Sequence, residues 1–164
     1  MSDVDTPNRD LSLLAPRFRE AVEDAIAACV AAGYPVKVQE GYRSQARQSW
    51  LYQQGRTRPG DIVTRAPTSL TSWHGYGLAV DVVHQTLAYW PRGKGKAHAR
   101  ANEQWFESVA AIFKEHRCSW GGNWKKPDTP HMQWHLCTAS PTPGARVLMR
   151  SKGAQAVWQA LNAG

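Results

Sequence analysis

Asp81 lies inside the apolar run Leu78-Ala-Val-Asp-Val-Val83. A carboxylate buried in such a run costs several kcal/mol unless it is paired, hydrogen-bonded or metal-bound. Pairing with an arginine would satisfy it, and so would a metal ion. His74 precedes it by seven residues, across a glycine-containing turn, in Ser72-Trp-His74-Gly-Tyr-Gly77-Leu-Ala79-Val-Asp81. A second segment runs Trp120-Gly-Gly-Asn-Trp-Lys-Lys-Pro-Asp128-Thr-Pro-His131. There Pro130 stiffens the short link between a carboxylate and a histidine. Two histidines and one carboxylate with an open fourth position form a catalytic zinc arrangement. Zinc in such a site brings the pKa of a water down to about 7. A further carboxylate beside the metal can then act as general base.

His135 competes with His131, because the two are four residues apart, as in a helical zinc pair. The glutamate of an HExxH site is absent from His131-Met-Gln-Trp-His135. Pro130 and Trp134 favour extended chain, where positions four apart are separated by about 13 Å. Both cannot then bind one ion, and the two-His, one-carboxylate template favours His131. Arg43, in Glu40-Gly-Tyr-Arg-Ser44, is a candidate cation for a developing oxyanion. Its spacing alone would equally suit a surface arginine.

The patterns Ser-x-His-x-x-Gly-x-Ala-x-Asp over 72–81 and Asp-x-x-His over 128–131 resemble the zinc peptidases that include D-Ala-D-Ala carboxypeptidases and L-alanyl-D-glutamate endopeptidases. Gly-Tyr-Arg-Ser from Gly41, Leu51-Tyr-Gln-Gln-Gly-Arg-Thr57 and Pro59-Gly-Asp-Ile-Val-Thr64 resemble the endopeptidase branch, which includes phage endolysins. The resemblance covers about residues 35–135. It implies an α+β fold like that of these peptidases and of the hedgehog signalling domain. It implies one Zn²⁺ per chain on His74, Asp81 and His131, with Asp128 as catalytic base. Arg43 would bind substrate or stabilise the oxyanion. Ser72 and Trp120 match motif positions near the substrate, in a supporting role. Asn123 departs from the family's frequent Asp after the Gly-Gly pair, which keeps the hydrogen-bonding shape and loses the charge.

The elements that must position these residues are readable from pattern. Pro16 can open a helix over 16–32, with Phe18, Val22, Ile26, Cys29 and Val30 on one face and Gly33 as its stop. Val36-Lys-Val-Gln-Glu alternates as a strand, and Ser44 can cap a helix running to about Gln54. Residues 55–71 read as loop with a short strand at Ile62-Val63. Leu78–Val83 reads as a buried strand and residues 91–99 as an exposed basic loop. Residues 101–116 read as an amphipathic helix with Trp105, Val109, Ile112 and Phe113 on one face. Residues 120–124 read as a turn, His131–Leu136 as extended chain, and 151–161 as a terminal helix. Helices alternating with short strands suggest α+β with a small antiparallel sheet and flanking helices.

The chain has 164 residues, which suits one domain over 1–164. Cys29, Cys118 and Cys137 are odd in number and form no CxxC pair, so they read as structural thiols compatible with a reducing cytosol. The first residues carry neither a basic nor an apolar signal-peptide region, and no apolar run is long enough to span a membrane. Such a protein is expected to be made in the cytoplasm and to act on the cell wall after release, as an endolysin reaches the wall in host lysis. The net charge of +7 would hold it on an anionic wall surface. No nucleic-acid motif is present. Of eight tryptophans, Trp73, Trp120, Trp124 and Trp134 crowd the two motifs. Most should pack the core, while one or two could wall a groove. The expected activity is hydrolysis of a peptidoglycan stem peptide by a monomer, at the L-Ala–D-Glu bond on the branch resemblance. A D-Ala-D-Ala carboxypeptidase or a non-catalytic zinc-bearing wall-binding module are the alternatives.

Overall fold

The computed structural model describes residues 4–88 and 95–164. Helix α1, Pro16–Ala31, starts on its proline and buries Phe18, Ala21, Val22, Ala25 and Cys29 at three- and four-residue steps. Ile26 is only partly buried, and Val30, expected on the same face, is 47% exposed. Strand β1, Val36–Glu40, leads through a turn to α2, Gln45–Gln53. The Ser44 side chain accepts from the Arg47 N–H and caps α2 as expected.

Strand β2, Ala79–His84, then runs antiparallel to β1. Helix α3 spans Lys96–Glu115 and begins five residues earlier than its apolar pattern suggested. The stretch expected as a basic loop is thus helical from Lys96, while 91–94 lie outside the described residues. The buried face of α3 is Phe106, Val109, Ala110 and Phe113, with Trp105 and Ile112 partly covered at its flanks. Strand β3, Cys118–Trp120, precedes a single helical turn at Gly121–Asn123, and β4, His131–Trp134, follows. The terminal helix expected over 151–161 is α5, Ala154–Ala160, and it is preceded across Gly153 by a helix that was not expected, α4 over Pro143–Lys152. Ile62-Val63 forms no strand; both side chains are exposed on a loop.

The four strands form one antiparallel sheet in the order β1-β2-β4-β3. The period-two alternation of strands sorts the side chains onto two faces. Val36, Val38, Val80, Val82, Met132, Cys118 and Trp120 are buried on one face, beneath α1 and α3. Asp81, His131 and Gln133 stand on the other. Asp81 pairs directly with His131 across β2 and β4. A bulge between Val38 and Glu40 brings Glu40 opposite Asp81. In an unbroken register Glu40 would share the face of Val36 and Val38; the extra residue re-aims it.

Candidate metal centre and cleft

Helical hydrogen bonding over Trp73–Tyr76 turns the chain back into β2, and Gly77 at φ +67 closes that turn. A side chain at Gly77 would also strike the Leu13 carbonyl at 2.6 Å, so glycine is required there twice over. His74 is tied to the end of β1 from both sides. Its Nδ1 lies 2.8 Å from the Gly41 carbonyl, and its own carbonyl accepts from the Arg43 N–H at 3.0 Å. A carbonyl only accepts, so Nδ1 carries the proton and Nε2 offers its lone pair to the site.

His131 is fixed differently. Its Nε2 lies 2.9 Å from Gln133 Oε1. The Gln133 amide nitrogen donates to the Cys137 and Thr138 carbonyls at 3.2 and 2.8 Å, which sets the orientation of that amide. Nε2 of His131 is therefore the donor, and Nδ1 faces inward. One candidate ligand atom from each of His74, Asp81 and His131 lies within 4.8 Å of the others. Asp81 Oδ1 is 3.3 Å from His74 Nε2 and 3.7 Å from His131 Nδ1. Three candidate donors converge there, and a cation between them would relieve their mutual repulsion. The donor set fits a metal ion, and it is the set expected from the sequence.

The other carboxylate oxygen of Asp81 belongs to Arg43, whose Nη2 lies 3.3 Å from Oδ2. Arg43 also donates to Glu40 through Nε and Nη2 and to Gln48 Oε1 through Nη1. Glu40 is buried and takes Arg47 Nε on its second oxygen at 2.7 Å. Burial pushes the Asp81 carboxyl up, but His74, His131 and Arg43 outweigh it and hold the group well below the usual carboxylate range. Burial likewise works against a charged His131, and Asp81 with Asp128 more than restores it.

Asp128 sits on the turn before β4, with Oδ2 3.9 Å from His131 Nδ1 and its side chain 53% exposed. Its N–H donates to the Gly121 carbonyl at 2.9 Å. Partial burial first, and then the nearby Asp81 charge, raise its pKa above the ordinary carboxylate value. A cleft of about 1160 Å³ opens over these groups. Arg43, Ser72, His74, Asp81, Asp128 and His131 all line it.

Trp124 walls the cleft with its ring 4.8 Å from that of His131, while Trp73 borders it but is itself buried in the core. Trp120 and Trp134 are buried as well. The Trp120 indole N–H braces the Thr129 carbonyl at 2.7 Å, so Trp120 supports the turn rather than lining the cleft. His135 is exposed beyond the end of β4, with its N–H on the Arg117 carbonyl, outside the ligand cluster. Sequence reasoning passed over Gln133 and Glu40. The signal for Gln133 was present: on a strand, position i+2 from a ligand shares its face. That for Glu40 was hidden by the bulge.

Comparison with known proteins gives the family of the chain. Residues 65–134 match the peptidase family described as D-alanyl-D-alanine carboxypeptidase, of the M15 group. Over 125 residues the chain is 35% identical to the peptidoglycan L-alanyl-D-glutamate endopeptidase CwlK of Bacillus subtilis (strain 168), covering 73% of this chain and 72% of that protein. The chain belongs to the M15 peptidase family. A similar fold is seen in the crystal structure of the Serratia marcescens L-Ala D-Glu endopeptidase ChiX. That match has TM-score 0.55 and 24% identity, over 76% of this chain and 83% of that one. The LD-carboxypeptidase LdcB superposes with TM-score 0.53 and 16% identity, over 92% of this chain and 69% of the other. These two likenesses establish the α+β architecture expected from the sequence.

Proposed function

We propose that this M15 peptidase is a zinc-dependent peptidoglycan hydrolase that cuts the stem peptide between L-Ala and D-Glu. The observation that carries the reading is the convergence of His74, Asp81 and His131, with Asp128 beside them in an open cleft. The relationship to an L-alanyl-D-glutamate endopeptidase at 35% identity supports the choice of bond. When bound, a single zinc ion would supply Lewis acidity to the scissile carbonyl and to the attacking water. Asp128 takes the proton of that water and delivers it to the departing amine nitrogen of D-Glu. Its raised pKa suits it to hold a proton between those two events.

Arg43 has four of its five N–H groups engaged by Glu40, Gln48 and Asp81. That supports a role in aiming Asp81 Oδ1 at the metal, ahead of the direct substrate contact expected from the sequence. Ser72 lines the cleft at the entry to the His74 turn and can contact the peptide backbone. The resemblance of residues 41–66 to endolysins supports a setting in phage-driven host lysis, with a monomer made in the cytoplasm and acting on the wall after release. The charge of +7 supports adhesion to an anionic wall. Among the described residues no helix is long and apolar enough to cross a membrane.

Digestion of purified peptidoglycan followed by mass spectrometry of the fragments tests the assignment. New N-terminal D-Glu is expected. Released D-Ala would make the enzyme a carboxypeptidase, and wall binding without products would make it a binding module.

A further inference from the structure

The cleft is lopsided in charge. Five cationic side chains line it, against the two carboxylates Asp81 and Asp128. Arg43 is matched by Glu40 and Asp81. Arg65, Lys125, Lys126 and Arg146 form no ion pair with any described residue. They arrive from three separate parts of the chain: the loop after α2, the turn before β4, and helix α4. Like charges brought together around a concavity repel one another, and the low-dielectric walls focus their field on whatever enters. A bound divalent cation would add to that field. Such a cleft is complete only with an anionic occupant. The walls between the cations are apolar, with Ile62 and Val63 56% and 55% exposed. An occupant with small apolar groups and carboxylates fits both features.

We propose that Arg65, Lys125, Lys126 and Arg146 read the free carboxylates of the peptide, above all the α-carboxylate of D-Glu. This inference rests on the L-Ala–D-Glu reading above. In a γ-linked stem that α-carboxylate is unused by the chain and stands one carbon from the scissile nitrogen. A stem in which it is converted to a carboxamide presents the same shape without the charge. The enzyme therefore discriminates against amidated stems, and the four rim cations are the residues that set the discrimination.

Two soluble peptides test this, L-Ala-γ-D-Glu-L-Lys-D-Ala and the same peptide with the α-carboxylate as carboxamide. With the zinc-loaded full chain, kcat/KM for the carboxylate peptide is expected to exceed that for the carboxamide by about tenfold or more at low salt, since charge-assisted hydrogen bonds are the stronger kind. The ratio should shrink as salt screens the rim. In the variant R65Q/K125Q/K126Q/R146Q it should fall to within about twofold, through KM, with zinc affinity and melting temperature as controls for folding. Equal kcat/KM in the wild type, or a preference that survives in the fourfold variant, overturns the proposal. Direct binding of both peptides separates it from the function it rests on. If neither peptide is cut but the carboxylate form binds at least tenfold tighter in the wild type alone, the recognition stands and the cleavage assignment falls. If neither is cut and both bind equally or not at all, both fall. Displacement of the peptide by an equal concentration of a short oligonucleotide would also overturn it, by showing an unspecific polyanion surface.

Discussion

Gln133 holds His131 by the ring nitrogen that faces away from the site. Its Oε1 accepts from His131 Nε2 at 2.9 Å, while its amide N–H groups are spent on the Cys137 and Thr138 carbonyls. Partners of this kind select the tautomer of a metal-binding histidine, and their loss typically lowers metal affinity about 10–100-fold. Gln133→Leu should show that loss in chelator competition. ¹⁵N NMR of the metal-free variant should show the His131 proton on either nitrogen, where the parent carries it on Nε2. An unchanged tautomer in Gln133→Leu would remove the residue from this role.

Asp128 is three residues from His131 yet half exposed, so it can change without dismantling the sheet. Asp128→Asn should keep stoichiometric metal and lose roughly 10²–10⁴-fold in kcat, the usual span for a general base. His74→Ala should instead lose the metal. Metal analysis beside turnover separates the two, and wild-type kcat in Asp128→Asn would end the base assignment.

Glu40 is buried between Arg43 and Arg47. Removing one member of a buried charge network leaves its partners uncompensated, at a cost of about 3–5 kcal/mol. Glu40→Leu should lower the denaturation midpoint accordingly and weaken metal binding, because Arg43 then loses its anchor beside Asp81. Chemical denaturation of the metal-free protein measures the first effect.

Gly121 lies against both halves of the second motif. A Cβ there would meet the Asp128 carbonyl at 2.7 Å and the His131 Cβ at 3.1 Å. Gly121→Ala should therefore displace Asp128 and His131 together and reduce kcat/KM by about 10²-fold, the scale of a 1 Å misplacement. Melting temperature and kinetics, measured side by side, check that the loss exceeds any instability.

Burial pushes the Cys29 thiol up to about 11 and the Cys118 thiol up to about 12, the latter despite Arg117. Cys137 is raised by burial as well. In an unfolded chain a thiol titrates near 8.5. Groups raised on folding contribute stability that is complete below that value and is lost as pH rises through their folded values. Melting temperature should thus fall steadily between about pH 8.5 and 11. Alkylation of the native protein at pH 8 should be slow at Cys29 and Cys118. Replacing the cysteines with alanine should flatten the pH dependence.

Much of the site was legible because it is local. His74 and Asp81 share one turn, Asp128 and His131 share another, and each pair has a fixed spacing. Capping by Ser44 and the proline start of α1 were legible for the same reason. What was not legible depends on register. Glu40 faces Asp81 only because the bulge at the end of β1 shifts the pairing. β3 is three residues long, too short for alternation to reveal. The start of α3 is basic and follows Gly95, so no apolar face marks it. Ile62 and Val63 look like a strand yet serve as an exposed cleft wall, where burial no longer explains apolar residues.

The turn that carries His74 is braced from far along the chain. The Trp158 indole donates to the Tyr76 carbonyl at 2.6 Å across 82 residues, and the Trp134 indole to the Leu161 carbonyl at 2.7 Å. At a synthesis rate of about 5–20 residues per second, roughly 4–16 seconds separate the emergence of the first partner from that of the second. Once His131 has also emerged, in the last part of that interval, the nascent chain holds every ligand but not yet the brace beneath them. The turn that carries His74 is thus braced only after the last ligand, His131, has been made.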